Sequence, residues 1–196
     1  FNMGNTYMQT GEYEKAVESY RRCVEIDGEE ALTLSYLAEA YERLERYDEA
    51  MYYYERAREL NPELAEPWIG IGIIKEVQGF YPEATAFIKH AVNIQPENSN
   101  YRLVLAECLY KNNAAEEAEK ELETAISLDP SYSDAIVLLA AIYEERDPSK
   151  ALLFLENQPD LENLENKVRL SLVSLLYKAG RQTDALLLFN GEMKKD

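Results

Sequence analysis

The sequence predicts an all-α chain built from tandem helix pairs. Three observations carry this: a 34-residue period, helix terminators closing each period, and small residues alternating with bulky ones at helical spacing. Ala16, Ala50, Ala84 and Ala118 recur in one register, and a fixed period of this length is the mark of a repeat architecture. Seven residues after each stands another small side chain (Cys23, Ala57, Ala91, Ala125), and three further on an apolar one (Ile26, Leu60, Ile94, Leu128).

Each period divides into two helices, A and B. In helix A the small residues Gly4, Ala38, Gly72, Ala106 and Ala140 are followed three positions later by Tyr7, Tyr41, Lys75, Leu109 and Tyr143. That spacing lets a neighbouring helix approach at the small residue while the bulky one fills the gap a turn later. Gly11, Glu45, Gly79, Asn113 and Asp147 mark the turn where helix A stops and the chain reverses. Helix B carries the recurring alanines. Pro62, Pro96 and Pro130 close it, with Gly28 in the equivalent place of the first period.

The pattern resembles the tetratricopeptide repeat family, whose signature of a bulky residue, Leu-Gly, Tyr, Ala, a second bulky residue and Pro is matched at Trp68, Ile71, Gly72, Lys75, Ala84, Ile88 and Pro96. Lys75 departs from it. Leu34, Leu37, Ala38, Tyr41, Ala50, Tyr54 and Pro62 match again, as do Met3, Gly4, Tyr7, Ala16 and Tyr20. The resemblance implies a right-handed α-α superhelical solenoid, one repeat domain over 1–196. Its units are a truncated repeat (1–30), three regular ones (31–64, 65–98, 99–132) and two irregular ones (133–159 and 160–196). In the fifth, Ala151 arrives one residue early and Gln158-Pro159 cuts helix B short. In the sixth, Asp160 is the expected N-cap of a lengthened helix A, and a kink is expected near 147–165. Eight of the fifteen tyrosines fall in the family's bulky slots, so their number is a packing matter.

Composition narrows the function. Lys and Arg total 20 against 37 Asp and Glu, a net charge of −17, and each third of the chain is negative. Such a field repels phosphate backbones and anionic headgroups, so nucleic acid is excluded as a partner. No apolar run reaches the roughly 18–20 residues of a membrane span, so no membrane insertion is expected and the chain is read as soluble. Compartment is unassigned, cytoplasmic by default.

No catalytic or ligand-binding motif appears. Gly70-x-Gly72 follows no strand, and the next glycine, Gly79, is too distant for a dinucleotide fingerprint. His90 has no second histidine beside it and reads as a surface residue. Cys23 and Cys108 read as small core hydrophobes. The sequence therefore predicts no cofactor, no metal and no catalysis within these residues.

The family resemblance places helix A on the inner, concave wall, where register assigns a peptide-binding groove: Asn5, Glu39, Glu42, Arg43, Ile69, Ile73, Glu76, Leu103, Glu107, Tyr110, Val137, Glu144 and Tyr177. An apolar strip with acidic flanks suits a basic, amphipathic protein or peptide segment. Family members that hold acidic chaperone tails use a Lys/Asn/Arg clamp. Asn5 fits one place, but Tyr36, Glu66 and Gly70 stand where Asn, Lys and Arg are needed, so no acidic chaperone tail is expected. The expected function is a non-catalytic interaction scaffold. The alternatives are an accessory repeat domain of a larger enzyme, such as a glycosyltransferase, and a domain that homodimerises through its C-terminal repeat, where Leu186 to Phe189 need cover. Reversing Glu42 and Glu76 to Lys is expected to weaken a basic partner without unfolding the stack.

Overall fold

The computed structural model describes residues 1–158 and 165–190. Among these, every regular element is an α-helix, twelve in all. They form two compact units, residues 1–112 and 113–196, each taken by itself.

The first unit holds α1 (Asn2–Thr10), α2 (Tyr13–Asp27), α3 (Ala31–Arg43), α4 (Tyr47–Leu60), α5 (Ala65–Val77), α6 (Tyr81–Ile94) and α7 (Ser99–Lys111). Each helix packs on the next in sequence, and among the A helices α3 packs on α5 and α5 on α7. The alanines that define the period, Ala16, Ala50 and Ala84, are completely buried. Two small slots of helix A, Gly4 and Gly72, lie against the bulky residue four positions beyond Ala16 and Ala84. A Cβ on Gly72 would come within 2.5 Å of Ile88 Cγ1, and one on Gly4 would overlap the Tyr20 ring. The core runs through Tyr20, Leu37, Tyr41, Tyr54, Ile71 and Ile74, and each fully buried Leu or Ile contributes about 1.5–3 kcal/mol. Lys75, the departure from the signature, holds its amine over the Phe80 ring, 5.3 Å from the centroid, and 2.9 Å from Glu83 Oε2, so a long amphipathic chain stands in an aromatic's place.

The turns between A and B repeat one backbone device. Gly11, Glu45, Gly79, Asn113 and Gly180 all adopt positive φ, between 58° and 82°. After Gly11, Glu45, Gly79 and Gly180, the next residue's N–H bonds five residues back at 2.9 Å, as in Phe80 to the Lys75 carbonyl. This left-handed stop caps otherwise unpaired carbonyls. Every proline terminator lies just past its helix: α4 and α6 end two residues before Pro62 and Pro96.

The second unit holds α8 (Ala115–Leu128), α9 (Ser133–Arg146), α10 (Pro148–Glu156), α11 (Asn166–Lys178) and α12 (Gln182–Phe189). Successive helices pack together, and α9 also packs on α11. The early arrival of Ala151 has a local cause. Asp147 takes extended rather than left-handed backbone (φ −149°), and its carboxylate accepts from the N–H groups of Ser149 (3.0 Å) and Lys150 (3.2 Å). One residue thus serves as both helix stop and N-cap, Pro148 occupies the first turn of α10, and the turn is shorter. Asp160, and part of the kink expected near 147–165, lie outside the described residues.

The recurring apolar residues late in helix B behave differently. Ile26, Leu60 and Leu128 are exposed. The period there marks helix identity, not burial.

Candidate functional site

In the first unit α3, α5 and α7, with Tyr54 of α4, line a cavity of about 190 Å³. From α3 it is lined by Ser35, Tyr36, Glu39, Glu42 and Arg43, spaced three and four apart along one helix face. Glu66, Ile69, Gly70 and Ile73 of α5 form the second wall, and Asn100, Tyr101 and Val104 of α7 the third. Tyr54 of α4 enters from below. Its hydroxyl donates to Glu42 Oε2 at 2.9 Å, and it passes under α5 because residue 70 is glycine, where a Cβ would overlap its ring.

Three carboxylates face one guanidinium here. Burial is the main force on Glu42 and pushes its carboxyl up to about 7; the Tyr54 hydrogen bond opposes this and the nearby Glu39 adds to it. Desolvation chiefly also drives the Tyr54 phenol well above its usual value and Tyr101 up to about 12, and raises Tyr36, with Glu66 and Glu39 contributing at both Tyr36 and Tyr101. Arg43 Nη2 approaches Glu39 Oε1 only to 3.4 Å. Glu66 Oε2 is buried with no hydrogen-bond partner, a condition that costs free energy until a donor arrives.

The cavity brings together five of the residues named by register: Glu39, Glu42, Arg43, Ile69 and Ile73. Asn5 lies elsewhere and accepts the Tyr20 hydroxyl at 2.6 Å. Leu103 is buried in the core. Glu76 is ion-paired to Lys111 of the next A helix; Glu107 and Tyr110 are half-buried on α7 outside the cavity lining. In the second unit Val137 is half-buried on α9, Glu144 pairs with Lys178 at 2.6 Å, and Tyr177 is exposed on α11. Glu76–Lys111 and Glu144–Lys178 are equivalent bridges between successive A helices, so two of the groove acids are engaged within the chain.

Register reasoning passed over Tyr36, Glu66, Gly70, Tyr101 and Val104 as groove residues. A signal was present: Tyr36, Gly70 and Val104 all stand two residues before the small slot of helix A, and the missing chaperone clamp points to Tyr36, Glu66 and Gly70.

Other chemistry-bearing residues are absorbed by packing. His90 is exposed and lies against Trp68, ring centroids 3.9 Å apart, while the Trp68 indole donates to the Pro62 carbonyl at 2.9 Å. Cys108 is buried against the Thr85 hydroxyl at 3.3 Å, burial raising its thiol pKa. Among the described residues no group of three or more His, Cys, Asp or Glu is placed to hold a metal, and no helix is long and apolar enough to cross a membrane.

Consecutive helix hairpins, with α3 on α5, α5 on α7 and α9 on α11, and a left-handed stop at the A–B turns after α1, α3, α5, α7 and α11, define a helical-repeat protein of the α-α solenoid class. Tetratricopeptide repeat models match residues 1–63 and 77–142, and the chain belongs to the tetratricopeptide repeat family. YpiA of Bacillus subtilis, a TPR repeat-containing protein, is 25% identical over 70% of this chain and 32% of its own length. The TPR repeat-containing thioredoxin TTL4 of Arabidopsis thaliana is 36% identical over 47% of this chain and 15% of its own. The chain thus spans a third or less of these relatives.

Among solved structures, PilF of Pseudomonas aeruginosa aligns with a TM-score of 0.78 at 19% identity, covering 95% of this chain and 86% of that one. YrrB, described as a TPR protein with an unusual peptide-binding site, aligns at 0.66 and 19% identity over 90% of this chain and 92% of that one. These likenesses show the tetratricopeptide fold. Tetratricopeptide repeats make the chain a protein-interaction scaffold, one that binds protein partners.

Proposed function

We propose that the cavity between α3, α5 and α7 is the seat of a basic, amphipathic peptide segment, and that the chain acts without catalysis as a docking scaffold. The observation that carries this is the charge of an apolar-and-acidic lining: Glu39, Glu42 and Glu66 against the single cation Arg43, beside Ile69 and Ile73. Carboxylates steer a basic segment toward the site, and the isoleucines supply burial once it docks. Nucleic acid and acidic tails meet the same field as repulsion. YrrB, similar in fold, carries a peptide-binding site by its own description.

Selection of displayed peptides against the 196-residue chain, at low and at physiological salt, tests the reading. Enrichment of basic-apolar peptides that compete with one another and weaken with salt supports it; no enrichment at either salt overturns it. The control variant is Glu39→Lys rather than reversal of Glu42 and Glu76. Glu42 is buried on Tyr54, and Glu76 is ion-paired to Lys111, so those reversals disturb packing as well as the groove.

A second reading, an accessory repeat domain of a larger protein, draws on the partial span of the relatives and on TTL4, whose name joins TPR repeats to a thioredoxin. The full reading frame tests it: an adjoining catalytic domain supports it, and further repeats alone count against it.

A further inference from the structure

Resting on the cavity as a peptide seat, we infer that it takes one arginine side chain of the docked segment, held by Glu39 and Glu66 and flanked by Tyr36 and Tyr101. Size sets the first limit. At about 190 Å³ the cavity has room for a long side chain of the docked segment.

Chemistry sets the second. The carboxylates are acceptors only, and their oxygens are unequally served: Glu42 Oε2 has the Tyr54 hydroxyl, Glu39 Oε1 has Arg43 at 3.4 Å, and Glu66 Oε2 has nothing. These acceptors sit on two different helices. A guanidinium, with five donors spread in one plane, reaches acceptors on both walls, whereas an ammonium concentrates three donors at a point. Tyr36 of α3 and Tyr101 of α7 line the same cavity, and aromatic rings beside a planar cation favour arginine. Charge balance agrees. Glu39, Glu42 and Glu66 outnumber the one cation Arg43, so the site stays net negative and an incoming cation offsets that charge.

The test is titration of the ¹⁵N-labelled chain with acetyl-arginine amide, acetyl-lysine amide and acetyl-citrulline amide. The expected result is saturable movement of the Tyr36, Gly70 and Tyr101 backbone amide signals with arginine. Citrulline, isosteric but uncharged, binds about tenfold more weakly or not at all, and lysine binds several-fold more weakly. Glu66→Gln, checked for an unchanged melting curve, loses about tenfold in arginine affinity. Unsaturable shifts spread over the acidic surface, equal for arginine and lysine, overturn the inference, as does undiminished binding to Glu66→Gln. The peptide reading is judged separately. Selected peptides that keep their affinity when arginine is replaced by citrulline, yet lose it with Glu39→Lys, leave the groove standing and the arginine pocket refuted; a selection with no enrichment removes the groove itself.

Discussion

The Tyr54 hydroxyl reaches Glu42 Oε2 at 2.9 Å by passing beneath Gly70, the one α5 position where the absence of a side chain leaves room for a phenol ring. Three successive helices are tied in one contact: α3 supplies the carboxylate, α4 the ring, and α5 the gap. The floor of the cavity is therefore set by a glycine that takes no part in any turn.

Gly70→Ala is expected to destabilise the chain by about 1–3 kcal/mol, because overpacking against the buried Tyr54 ring outweighs alanine's better helix propensity of about 1 kcal/mol. Tyr54→Leu in the same chain should relieve most of that loss. Chemical denaturation of the two single variants and the double variant measures the coupling; additive losses would show that the ring and residue 70 do not meet.

Glu42 gives stability a pH dependence of defined sign. In the unfolded chain its carboxyl titrates near 4.5, and in the folded chain at about 7. Below 4.5 both states hold the proton; between the two values only the folded state keeps it, so stability falls as pH rises and the loss is complete above 7. Buried beside Tyr54, with Glu39 and Arg43 as its charged neighbours, Glu42 should account for about 2–3 kcal/mol of loss across that window. Replacing it by Gln, which has no proton to lose, should leave the variant about 2 kcal/mol more stable relative to wild type at pH 8 than at pH 5. Parallel urea-denaturation curves for the two proteins at both pH values would sink the assignment.

Equivalent turn positions should respond with opposite sign. Glu45 is held at φ 58°, a conformation glycine adopts without strain, so Glu45→Gly should raise stability by about 0.5–1 kcal/mol. Asp147 caps α10 through its carboxylate, so Asp147→Ala should lower it by about 1 kcal/mol. Thermal melts of the two variants decide between this and a common turn geometry, which would move both the same way.

Charge reversal at Glu76 should be rescued by its partner. Glu76→Lys places two ammonium groups together, and adding Lys111→Glu restores an opposite pair; the coupling expected for so exposed a lysine is about 0.5–1 kcal/mol, and it should shrink at high salt. A double-mutant cycle at two ionic strengths measures it. Zero coupling at low salt would mean that the bridge is not formed in solution.

The sequence by itself determined the repeat. A 34-residue period of alanines, prolines and turn residues specifies helix pairs and their length, since small residues at fixed spacing have one economical use, the close approach of neighbouring helices. It also singled out Glu39, Glu42 and Arg43 on one face of α3 and Ile69 and Ile73 on one face of α5, which line the same cavity, because register along a helix is local. Tertiary structure decided the rest. Which acids remain available depended on partners 34 or 35 residues away: Lys111 takes Glu76 and Lys178 takes Glu144. Glu66 is left without a partner for one of its oxygens, and burial between the helices, against the opposing Tyr54 hydrogen bond, makes Glu42 a group titrating near neutrality. Helical period reports which face a residue occupies, whereas pairing and burial depend on what the neighbouring helices bring to that face.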